Sequence, residues 1–214
     1  MTKIKSNMTD NYYIAGWKTV EDWKKFRNIL LKSENKSDWE IAYNDYFYER
    51  LKSRYLNPIT ILQDNSTYQG EGFSIVTIQC SIIEFLETTI QGLKYKFLKK
   101  GEKLDKYEYS SSKDIFISFL CKREPFSSEF NEAISNEFYT NIRCGLLHEA
   151  RTKNGWKIHA KSISKNIIDF KKKIIYRDNM QEAFDKFLAI YKKNLVERKE
   201  YQQAFIRKFD SLCE

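Results

Sequence analysis

The sequence predicts a mainly α-helical bundle with a small antiparallel β-hairpin or flap placed before its C-terminal helix. Three observations carry this. Helix breakers are scarce, with 7 Gly and 2 Pro in 214 residues, while 15 Phe, 14 Tyr and 4 Trp supply apolar anchors. Apolar side chains recur at three- and four-residue spacing along most of the chain. Between residues about 154 and 177 that period gives way to alternation, the signature of strands.

Residues 1–18 carry no clear period and read as a loose arm or short strand. Thr19 and Asp22 form a capping-box pattern, in which hydroxyl and carboxylate satisfy the free N–H groups of a helix start. The helix that follows puts Val20, Trp23, Phe26 and Leu30 on one face. Ser37 and Glu40 make a second capping box, opening a helix to about Leu56 with Trp39, Tyr43, Tyr46 or Phe47, Leu51 and Tyr55 inward. Pro58 is expected just past its end. Residues 57–72 are turn-rich and mark the best boundary. The predicted organisation is a helical extension over 1–65, packed on a core domain over 66–214.

Residues 73 to about 97 predict a central helix, with Ile75, Ile78, Ile82, Phe85, Leu86, Thr89 and Leu93 on a wide apolar face and Gly92 allowing close helix contact. Glu84 and Glu87 flank that face and are expected at the solvent margin, the alternative being a buried glutamate beside an arginine. Residues 99–112 read as a loop, and 113–122 as a short helix ended before Pro125. Ser127 or Ser128 is the expected cap of a long helix over 127–150, with Phe126 as its hydrophobic staple. Its inward stripe is Phe130, Ile134, Phe138, Ile142 and Leu146.

Asn154-Gly155 signals a turn. Trp156, Ile158 and Ala160 then alternate with Lys157, His159 and Lys161, and two more β-like runs follow at 167–170 and 173–177. This predicts a basic flap over about 154–177. Asp178 is the expected cap of one long helix to about Leu212.

The net charge of +8 suits a nucleic acid or an acidic partner, and equally a solubilising excess of lysine. Cys80, Cys121, Cys144 and Cys213 form no CxxC pair, so neither a zinc site nor a disulfide framework is predicted, and no cofactor or metal is implied. The N-terminus holds no apolar run of the signal-peptide kind. The most apolar stretch, 73–86, is interrupted by Gln79 and Glu84 and is too short to cross a bilayer. A cytoplasmic protein without a membrane partner is the expectation.

The end of the 127–150 helix reads Arg143-Cys144-Gly145-Leu146-Leu147-His148. This resembles the signature of the HEPN superfamily, an arginine followed after four to six residues by a histidine on the last core helix of a small bundle. The surrounding NEFYTNIRCGLLHEA and the basic NGWKI stretch are similar to a group of bacterial HEPN-like proteins, and the resemblance covers residue 70 to the C-terminus. It implies a metal-independent endoribonuclease, with Arg143 and His148 catalytic and two copies of the motif facing each other across a homodimer. It also implies a defence or stress-response role and a neutralising or regulatory protein partner. The family usually carries Asn, Asp or another polar residue directly after the arginine, where this chain has Cys144.

Five residues at 100° each place Arg143 and His148 about 140° apart on an ideal helix. One straight helix cannot aim both at one phosphate, and a kink near Gly145 or a symmetric partner would resolve this. The chemistry suits the residue types. Histidine titrates near neutrality and can remove the ribose 2′-OH proton or protonate the leaving 5′-oxygen. Arginine offers permanent charge and paired N–H donors to phosphate oxygens. Arg151, Lys153, Trp156 and Lys157 are candidate RNA-binding residues, the tryptophan by stacking on a base. His159, among lysines on a predicted strand, reads as solvent-facing. Two other functions stay open: a non-catalytic helical module binding RNA or protein, and a hydrolase built on Cys144 and His148, which are four residues apart.

Overall fold

A computed structural model describes residues 12–67 and 69–214. Most of the predicted arm lies outside the described residues. Its end forms a two-stranded antiparallel ribbon, β1 (Tyr13–Ala15) and β2 (Lys18–Thr19). Helix α1 (Val20–Leu30) follows with the expected capping box. The Thr19 hydroxyl accepts from the Asp22 amide, and the Asp22 carboxylate accepts from the Thr19 amide at 2.9 Å.

The second helical run, α2, is continuous but irregular. α-Helical pieces Lys36–Ile41, Glu49–Leu51 and Asn57–Asp64 alternate with π-helical turns Ala42–Tyr48 and Lys52–Leu56. Two expectations fail here. The N-cap is Asn35, without a side-chain cap bond, and Ser37 already lies inside the first turn. The chain also does not turn at Pro58. The π turn before it resets the ladder, so Pro58 falls at the start of a new α-helical piece, where its missing N–H goes unneeded.

Helix α3 (Glu71–Gln91) is central and packs against α4 (Ser112–Lys122) and the last helix. It stops earlier than its apolar period suggests because Gly92 adopts a left-handed φ of 66°. A Cβ there would lie 2.7 Å from the Ala204 carbonyl, so glycine permits the close approach of the C-terminal helix. Beyond it, where helix was expected to continue, β3 (Lys94–Tyr95) pairs in parallel with β4 (Glu108–Tyr109), which lies inside the predicted loop. By length and composition α3 is long enough and apolar enough to cross a membrane, unlike the shorter stretch read from sequence, and 56% of that apolar window is buried inside the fold.

The motif helix, α5, starts later than expected. Phe126–Ser128 forms a 3-10 turn, and the cap is Asn131, whose side chain accepts from the Ile134 amide at 2.9 Å. It then runs as Glu132–Phe138, a π turn Tyr139–Arg143, and Cys144–Glu149. Phe130, Phe138, Ile142 and Leu146 are buried as the stripe requires.

The predicted flap is a mixed three-stranded sheet, not an antiparallel one. β5 (Lys157–His159) lies parallel to β7 (Ile174–Tyr176), and β6 (Ile168–Asp169) pairs antiparallel on the other edge of β7. The tight turn joins β6 to β7, so β5 must add from the far side. Ile167, Ile168, Ile174 and Ile175 are buried, which fastens the sheet to the core. The last helical run is two helices, α6 (Arg177–Glu197) and α7 (Lys199–Ser211), broken at Arg198 with extended backbone. The Gln202 side chain donates to the carbonyls of Leu195 and Val196, satisfying groups that the break leaves open. The cap of α6 is Tyr176, and Asp178 in its first turn accepts from the Gln63 side chain at 2.9 Å.

Aromatic packing joins the two ends of the chain. The Trp23 ring lies 5.2 Å from Phe209, and Phe47 lies 4.8 Å from Tyr191. Glu87 departs from its expected place at the solvent margin: it is wholly buried. Its carboxylate accepts from Arg123 Nε at 2.8 Å, Arg123 Nη2 at 3.0 Å and the Ser118 hydroxyl at 2.8 Å. Full pairing makes a buried charge tolerable, and the partner lies 36 residues away, beyond any local pattern.

Candidate functional site

The end of α5 is held by the chain folding back on it. Ala150 terminates the helix with φ 52°, and the next residues cross the helix at Gly145. A Cβ on Gly145 would lie 2.4 Å from the Arg151 carbonyl, so glycine is required by this crossing and not by a kink. The π turn beneath it offers backbone to the returning strand: the Asn141 carbonyl accepts from the Lys153 amide at 2.8 Å. The Asn141 side chain accepts from Asn154 at 2.8 Å and donates to Glu137 at 2.7 Å. This network fixes where the last turn, with Arg143 and His148, points.

Arg143 lines a cleft of about 280 Å³ between α3, α5 and α7, walled also by Cys80, Glu84, Phe85, Tyr109, Leu147 and Lys208. Its side chain is 20% exposed, 4.0 Å from the Glu84 carboxylate and 5.2 Å from the centre of the Tyr139 ring. Glu84 is committed elsewhere: its Oε1 accepts from the Tyr109 phenol at 3.0 Å and from the Ser112 hydroxyl at 2.8 Å. Burial and this carboxylate hold the Tyr109 phenol protonated, so it remains a donor. Lys208 has a side chain only 7% exposed and donates to the Leu93 carbonyl at 3.0 Å. Burial, then the Arg50 charge, pull it down to about 8, with Glu84 opposing.

His148 lies outside this cleft. It is exposed at the end of α5, one residue beyond Leu147, which is itself 55% exposed at the cleft wall. The fold therefore leaves both motif residues accessible without joining them in one chain, as the helical angle requires. Cys144 is a free, half-buried thiol that interacts with the Tyr139 phenol. Nearby Cys80 is buried, and burial pushes its thiol up to about 12, far from thiolate chemistry.

The proposed RNA-contacting residues fare differently. Arg151 is exposed and pairs with Glu149 at 2.9 Å, and the Lys153 ammonium is bound to the same carboxylate. Lys157 is exposed on β5. Trp156 is 3% exposed, with its indole N–H 3.4 Å from Glu137 and its ring 6.0 Å from Phe170. It anchors the sheet and presents no face for a base, a correction to the stacking role. Its even position in the alternation faces the core. His159 lies in a separate cleft with Arg177, Lys161 and the start of α3, and packs edge-on to Tyr176.

Sequence reasoning passed over Tyr109 and Lys208, and placed Glu84 at the margin of the α3 face without a role in a site. Only Lys208 left a signal: it stands three residues after Phe205 and next to Phe209, a lysine inside an apolar stripe. Compared with protein-family models, curated proteins and solved structures, the chain matches none.

Proposed function

We propose that the chain is a metal-independent endoribonuclease of HEPN type, acting in the cytoplasm as a homodimer that pairs two copies of α5, with no cofactor. The observation that carries the reading is that Arg143 reaches a cleft while His148 stands exposed on the same helix end. Neither is sealed in the core, and a second copy brought to this end would supply the other half of the site. His148 removes the proton from a ribose 2′-OH. The freed oxygen forms a bond to the adjacent phosphorus, the bond from phosphorus to the 5′-oxygen breaks, and a second histidine returns a proton to that oxygen. Arg143 stabilises the charge that develops on the non-bridging oxygens. Exposed Arg151 and Lys157 draw in the strand.

The test is on the substrate. RNA is expected to yield products ending in 2′,3′-cyclic phosphate and 5′-hydroxyl, while DNA and 2′-O-methyl RNA of the same sequence stay intact. Cleavage of the 2′-O-methyl strand would overturn the mechanism. A second reading, a non-catalytic module binding RNA or a protein, is favoured by one observation: His148 is not among the residues lining the Arg143 cleft.

A further inference from the structure

We infer that the cleft between Arg143 and Lys208 is a binding site for a phosphodiester of RNA, with Lys208 as a phosphate-binding residue contributed by the C-terminal helix. The inference deepens the ribonuclease reading and rests on it for the identity of the ligand.

Positive charge outweighs negative charge along the cleft. Among the described residues lining the cleft, Glu84 is the sole carboxylate, against Arg143 and Lys208. A third cation stands behind the wall: the Arg50 guanidinium lies 5.8 Å from the centre of the Phe85 ring, and its charge acts on Lys208. Glu84 spends one oxygen on Tyr109 and Ser112 and approaches Arg143 only to 4.0 Å, beyond hydrogen-bond distance. Cations taken this far from water are costly unless paired. The lining sets two cations against one carboxylate.

Donor capacity supports the same conclusion. A guanidinium carries five N–H donors and an ammonium three. Among the described residues, Arg143 donates no hydrogen bond, and Lys208 is recorded with one, to Leu93. Both side chains line a space of about 280 Å³, wider than one phosphate group needs, with the exposed Leu147 at its wall. A phosphodiester spreads one negative charge over two non-bridging oxygens, which two cations on different helices can share, with its strand leaving over the apolar rim. An arginine from α5 and a lysine from α7 would then hold the strand before any chemistry at His148.

The test measures binding, not cleavage. A fluorescent 2′-O-methyl hexanucleotide, which cannot undergo 2′-OH attack, is titrated at fixed ionic strength against the whole protein, in parallel with inorganic phosphate. Lys208→Met is expected to weaken both ligands by about tenfold or more while remaining folded. Lys208→Gln serves with the same expectation if the methionine variant does not fold, and Lys32→Ala, at an exposed lysine outside the cleft, is expected to bind as wild type. Undiminished binding by the Lys208 variants, or wild-type binding of phosphate alone, would overturn the inference. If the variants lose binding in a chain that cuts no RNA, the anion site stands and the ribonuclease reading falls. If a chain that cuts RNA binds equally well without Lys208, the reverse holds.

Discussion

The Glu84 carboxylate stands 4.0 Å from the Arg143 guanidinium, close enough to attract it and too far for a hydrogen bond. A phosphate bound in this cleft would compete with Glu84 for the same cation. Glu84→Gln keeps an acceptor for Tyr109 and Ser112 and removes the competing charge. It is expected to tighten oligonucleotide binding severalfold, on the order of 1 kcal/mol at effective surface screening. Anisotropy titration checks this, and unchanged or weaker binding would show that Glu84 does not compete.

Glu87, one helical turn further along α3, has the opposite role. It is fully buried and fully paired, chiefly with Arg123. Glu87→Ala leaves that guanidinium without its carboxylate and is expected to cost about 3–5 kcal/mol, read by urea unfolding. A loss below about 1 kcal/mol would mean the pair is structurally idle.

Lys208 links stability to pH. Its folded value of about 8 lies below the ordinary 10.5, because of burial and then Arg50. The folded chain releases this proton while the unfolded chain still keeps it. Stability from this group therefore rises with pH between about 8 and 10.5, and below 8 the charged form opposes folding. The charges acting on it are Arg50 and Glu84, and Arg143, Tyr109 and Cys80 line the same cleft. Lys208→Met should melt higher than wild type at pH 7, with a ceiling of roughly 3 kcal/mol, and the gap should close as pH climbs. A constant gap would contradict this account.

Gly145 is a packing residue. Gly145→Ala drives a methyl group into the Arg151 carbonyl, and is expected to cost about 1–3 kcal/mol. Because the crossing also anchors Lys153 and Asn154 on Asn141, amide hydrogen exchange should rise across residues 151–156.

Local periodicity carried much of the fold. The stripe through Phe130, Phe138, Ile142 and Leu146, the Thr19–Asp22 box and the alternation after Trp156 were readable because each depends on neighbours in sequence. The π turns in α2 and α5 were not, since a one-residue change of register hardly alters an apolar stripe. The break at Arg198 has no Gly or Pro to announce it. Of the site, Arg143 and His148 were legible as a motif. Glu84, Tyr109 and Lys208 come together only when α3, β4 and α7 pack, and the basic look of residues 151–157 concealed a buried tryptophan and two cations held by Glu149.

The most direct measurement of the central claim is RNA cleavage in excess EDTA by wild type, Arg143→Ala, His148→Ala and Cys144→Ser, with the fold of each verified by circular dichroism. The account predicts cutting by wild type and Cys144→Ser, and a loss of about a hundredfold or more in each of the Arg143 and His148 variants. Cleavage that survives His148→Ala, or that disappears with Cys144→Ser alone, would contradict it.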